Sequence, residues 1–192
     1  MFRDQINDIS GFAVRDLLAN SADMSDEGLQ ICERIKEIMM MCDREDPVYE
    51  QISSFSIALY TLGYFDCPDL MSFQDVDAQE AAAILKEHFT PVNTEDVPWD
   101  HNIIQSDEKY LLVLGDPLFP IHFAVLTDFR SERPYFSKLP LFGSGFDSLP
   151  ELLEEFSGYD GINSYDVHYF RMNQDRESSA AIRKGRIYIV RD

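Results

Sequence analysis

Chemistry needs nucleophiles, bases or metal ligands spaced so that two or more side chains converge. The chain has 192 residues and 4 histidines: His88, His101, His122 and His168. No two of them stand at the HExxH or HxH spacing that turns two imidazoles onto one metal ion. His101 follows Asp100 and the single tryptophan, Trp99. This grouping reads as a polar loop in preference to half of a metal or acid–base site. His122 and His168 fall in IHFAVLTDF and SYDVHYFRM, two apolar runs that read as strands. Side chains at i and i+2 of a strand point the same way. If the two strands are neighbours, Asp166, His168 and His122 share one sheet face and become the first suspects for acid–base catalysis. The plainer reading is a hydrogen-bonded structural histidine on each aromatic-rich strand.

The other reactive types lack supporting partners. Cys32, Cys42 and Cys67 form no CxxC pair, are odd in number, and read as free thiols of a reducing cytosol. Cys32 and Cys42 suit a helical stripe as small buried hydrophobes. No GxSxG presents a hydrolase serine. The close carboxylates of DREDP and DVDAQE do not match a calcium loop. Phe142–Phe156, FGSGFDSLPELLEEF, sets two glycines before a helical run. A P-loop needs GxxxxGK[ST] and a dinucleotide turn needs GxGxxG. Position 148 is Ser and no Lys follows. Ser148 and Glu151 instead make a capping box, with Leu149, Leu152, Leu153 and Phe156 as the buried stripe. The glycines read as a structural turn. No cofactor and no metal is expected.

These residues need elements to hold them, and the chain changes texture near residue 90. Residues 1–90 read as three or four helices. Phe2, Ile6, Ile9, Ala13 and Leu17 make one stripe, and Leu29, Cys32, Ile35, Met39 and Cys42 a second behind the N-cap Ser25. Met39–Cys42, MMMC, reads as packing against the next helix. Asp46-Pro47 opens that third helix and Gly63 stops it. Asp75 or Asp77 caps a fourth, AQEAAAILKEHF. Residues 91–108 read as a connector. Residues 109–192 read as an α+β region of four or five mostly antiparallel strands: KYLLVLGD, IHFAVLTDF, PYFSKLPLF at an edge because of its prolines, SYDVHYFRM and GRIYIVRD. NQDRESSAAIRKG reads as a short helix before the last of them. The expected fold class is α+β, a helical bundle followed by this sheet with one or two helices.

Charge bounds the function. There are 35 acids against 16 Lys and Arg, a net charge of −19. Direct nucleic-acid binding is disfavoured, because that affinity rests on neutralising phosphates. Anionic membranes are disfavoured for the same reason, and no stretch approaches the roughly 20 apolar residues of a bilayer span. A basic protein partner would be attracted and steered. Asp23, Asp26, Glu27, Asp43, Glu45 and Asp46 are the expected contact acids. Arg176, Arg183, Lys184, Arg186 and Arg191 form a basic end suited to internal or self-association. Short strands, then LFGSGFDSLPELLEEF, then another strand resemble small α+β immunity proteins. That resemblance implies a cytosolic inhibitor that covers a basic active site, and assigns no residue role. The expectation is an acidic cytoplasmic binding or inhibitory protein without catalysis. The alternatives are a small enzyme around Asp166, His168 and His122, or an acidic nucleic-acid mimic.

Overall fold

A computed structural model describes residues 25–42, 52–157 and 166–174. The expected first helix, the acids Asp23, Asp43, Glu45 and Asp46, the basic C-terminal residues and the strand GRIYIVRD lie outside the described residues. In chain order the elements are α1 (Asp26–Met41), α2 (Ser54–Thr61), α3 (Ala78–His88), β1 (Phe89–Val92), β2 (Tyr110–Leu114), β3 (His122–Leu126), β4 (Tyr135–Leu139), β5 (Gly143–Asp147), α4 (Leu149–Phe156) and β6 (Val167–Met172). The strands form one 6-stranded sheet in the order β1-β6-β2-β3-β4-β5, antiparallel throughout. The fold is α+β.

YLLVL and HFAVL lack polar alternation because both faces of the sheet are covered. All positions of β2 and β3 are buried. On one face, Leu111, Val113, Phe123, Val125, Phe136 and Phe170 pack with Ile31, Ile35 and Ile38 of α1, Ile57 of α2 and Leu85 of α3. On the other, Leu112, Leu114, Ala124, Leu126 and Tyr169 pack with Leu152 and Phe156 of α4 and with Val97. Each such aliphatic or aromatic side chain contributes about 1.5–3 kcal/mol by leaving water. The described helices of residues 26–88 and the sheet therefore share one core, the arrangement in which residues 1–90 and the α+β region form one continuous domain.

The caps explain the helix limits. Ser25, Ser53, Asp77 and Ser148 each accept a backbone N–H from the first turn of α1, α2, α3 and α4. Gly63, at φ 72°, ends α2 by donating to Tyr60, while Tyr64 donates to Leu59. This is a Schellman closure that suits glycine.

Several expectations need correction. The helix read from Pro47 has its described part start at Ser54, because Ser53 is the cap and is extended. Leu29 is 47 % exposed, and the α1 stripe runs instead through Ile31, Cys32, Ile35, Ile38 and Cys42. Met40 of MMMC faces solvent, while Met39 and Met41 pack on the core. A strand begins at Phe89, inside the half read as helical, and Pro91 is tolerated because β1 has a partner on one side only. The presumed connector buries His101, Asn102, Ile103 and Ile104, and Asn102 bridges to Asp128. PYFSKLPLF is not an edge: its prolines flank β4, which pairs with both β3 and β5. The edge on that side is β5, GSGFD, so the glycines read as a turn are a strand. The sheet thus has six strands in place of four or five.

Candidate functional site

The catalytic trio is tested first by register. β2 lies between β3 and β6, so His122 and His168 are not on adjacent strands. Leu114 pairs with both His122 and Val167. His122 therefore lies level with Val167, and its ring packs 4.6 Å from Phe156 on the α4 face. His168 alternates with Val167 and Tyr169 and shares the parity of Phe170 and Met172, which face the other core. The sheet separates His122 from His168, so the two histidines do not share a face; Asp166 precedes β6. His122 is buried, its Nε2 has no hydrogen-bond partner among the described residues, and burial, with Lys138 nearby, lowers its pKa to about 3.

The end of the sheet where β2 begins and β6 finishes holds polar groups that the sequence did not announce. The Tyr110 hydroxyl donates to Glu108 Oε2 at 2.6 Å, and Arg171 donates to Glu108 Oε1 at 2.9 Å. The Tyr110 bond, helped by Arg171, holds the Glu108 carboxyl below its usual range. Burial and the same bond push Tyr110 up to about 12. A carboxylate held low and a phenol held high are poorly matched to proton transfer near neutrality. The His101 ring stands edge-on to Tyr110 at 4.9 Å. Among the described residues neither of its nitrogens has a partner of good geometry, and burial lowers its pKa against the weaker opposing influence of the Leu126 backbone and nearby acids. An open cleft of about 540 Å³ lies alongside, lined by Tyr64, Glu87, His88, Glu108, Arg171 and Gln174. The pairing of Tyr110 with Arg171 follows from register, which sequence does not reveal. Among the described residues no group of three or more His, Cys, Asp or Glu could hold a metal ion.

The opposite end of the sheet carries the β2–β3 and β4–β5 hairpin loops. β3 and β4 pair at the far end, Val125 with Phe136 and Leu126 with Tyr135, while toward the hairpin loops Phe123 N–H donates to Ser54 Oγ of α2 at 3.3 Å, so the two loops share this end of the sheet without pairing across it. The first loop, GDPLFPI, is pinned: Leu118 N–H donates to Asp116 Oδ1 at 2.9 Å and Phe119 N–H to the Asp116 carbonyl at 2.7 Å. Ile121 N–H closes the hairpin on Leu114 at 2.9 Å. This fixed turn holds Leu118 at 66 % and Phe119 at 75 % exposure. The second loop adds Leu141 and Phe142, also exposed.

Charge divides between the two ends. The ion pairs Lys109–Glu27 (3.0 Å), Arg171–Glu108 (2.9 Å), Arg130–Asp128 (3.8 Å) and Arg133–Glu151 all sit at the end away from the hairpin loops. Lys86 is in the last turn of α3, at that same end. Arg34 and Lys36 lie midway along α1. At the hairpin end the described residues include exposed Asp75, Asp77 and Asp116, and the one base there, Lys138, is buried. Of the expected contact acids, Asp26 and Glu27 are described: they begin α1, where Glu27 pairs with Lys109.

No family model, curated protein or solved structure matches the chain. Among the described residues no helix is long and apolar enough to cross a membrane.

Proposed function

We propose that this chain is an acidic binding or inhibitory protein, immunity-like or regulatory, that acts on a basic protein partner without chemistry of its own. The observation that supports this reading is the division of charge. Among the described residues the exposed bases lie at one end or on α1, several of them paired with acids, while the charged groups exposed at the hairpin end are acids, its one base, Lys138, being buried. Such an end attracts a basic surface and steers its approach. A nucleic-acid mimic would need carboxylates in phosphate-like rows. Here Asp116 stands beside exposed Leu118 and Phe119, which favours a protein surface.

The test is affinity capture from the native host at low and high salt, followed by mass spectrometry. One basic protein should be enriched at low salt and largely released at high salt. Enrichment of acidic proteins only, or of nothing above a charge-matched control, would overturn the reading.

A further inference from the structure

The two hairpin tips are the best-defined exposed apolar feature of the described residues. Resting on the binding reading above, we propose that Leu118 and Phe119, with Leu141 and Phe142 on the second loop at the same end of the sheet, are the apolar anchor of the partner interface. The partner is a basic protein whose positive surface surrounds an apolar pocket.

Four lines support this. First, hairpin loops commonly carry Gly, Asn, Asp and Ser, whereas these tips present Leu and Phe at 66 %, 75 %, 71 % and 48 % exposure. Singly exposed apolar residues are ordinary, but neighbouring ones mark an interaction surface. Second, the Asp116 side chain and carbonyl pin the first tip, so little order is lost when Phe119 docks. Third, a large apolar side chain in a desolvated pocket, ringed by polar contacts, is the usual form of an interface hot spot. Fourth, charge selects the occupant. A second copy of this chain would bring Asp75, Asp77 and Asp116 against their like, and an anionic lipid surface would be repelled by them. A basic protein is complementary to both the anchor and its rim.

The test places a photo-cross-linking amino acid at Phe119, at Leu141, or at Glu132, which is exposed in the β3–β4 loop at the far end. Each protein is irradiated in native-host lysate at low salt. The same basic protein should be cross-linked from Phe119 and Leu141 and not from Glu132. With that partner purified, Phe119→Ser combined with Leu141→Ser should raise Kd at least tenfold while the denaturation midpoint stays unchanged. A basic partner that is captured but cross-links only from Glu132, or from no position, overturns the hairpin surface and leaves the binding reading standing. Adducts only with a second copy of this chain or with lipid also overturn the proposal. Absence of any captured partner overturns the binding reading itself.

Discussion

A neutral imidazole buried against Phe156, with Nε2 unpartnered, makes a measurable contribution to pH dependence. In the unfolded chain a histidine titrates near pH 6.5. Burial brings His122 down to about 3 in the folded state. Between those values the unfolded chain binds more protons than the folded one, so stability falls as pH drops from 6.5 toward 3. For a single group the slope reaches at most about 1.4 kcal/mol per pH unit. His122→Leu should remove that slope while keeping an apolar side chain under Phe156. Denaturant unfolding of both proteins at several pH values between 7 and 4 checks this. The difference between variant and parent should move in the variant's favour as pH falls. Parallel pH profiles would mean that His122 is not held neutral. His101, also lowered by burial, remains in both proteins and cancels in the difference.

At the scale of elements, two contacts decide how the helices sit, and each makes a prediction. Gly28, in the first turn of α1, lies so close to the 101–105 segment that an added Cβ would stand 2.2 Å from the Ile104 carbonyl oxygen. The obstruction is backbone, so α1 itself must shift. Gly28→Ala should cost about 3 kcal/mol, at the upper end of ordinary overpacking, despite alanine's better helix propensity. Ser148→Ala removes one half of the capping box of α4 and should cost about 1 kcal/mol. Midpoints in urea rank the two, and a Gly28→Ala protein as stable as its parent would show that α1 does not dock on the 101–105 segment. The two cases also show what sequence can carry. A capping box is local, so Ser148 with Glu151 was legible at once, as were Ser25 and Gly63, while Asp77 stood as one of two candidates with Asp75. The nearness of Gly28 to Ile104 is a long-range contact and leaves no local trace. The same holds for β5: GSGFD has poor intrinsic strand preference and becomes a strand because β4 pairs with it along its whole length. The face of each histidine depended on register across three strands, and no periodicity encodes that. Exposure of Phe119 was equally hidden, since an apolar residue in a turn reads the same whether it is covered or bare.

Across the whole molecule, charge and apolar contact act on different steps of association, and this separates their roles. The net charge of −19 and the exposed acids of the hairpin end act while the partner is still approaching, so they govern the on-rate. Their reach shrinks as the Debye length falls from about 30 Å at low salt to about 8 Å at physiological ionic strength. Phe119 and Leu141 act only at contact, so they govern how long the complex lasts. Stopped-flow association with the purified basic partner should therefore show an on-rate that drops steeply over that salt range for parent and Phe119→Ser alike. The variant should differ by an off-rate raised several-fold, with its salt dependence of association unchanged. A Phe119→Ser protein that loses on-rate instead would place the side chain in the approach and not in the bound interface. An on-rate indifferent to salt would mean that the acidity serves solubility alone, and that the hairpin end recognises its partner by shape.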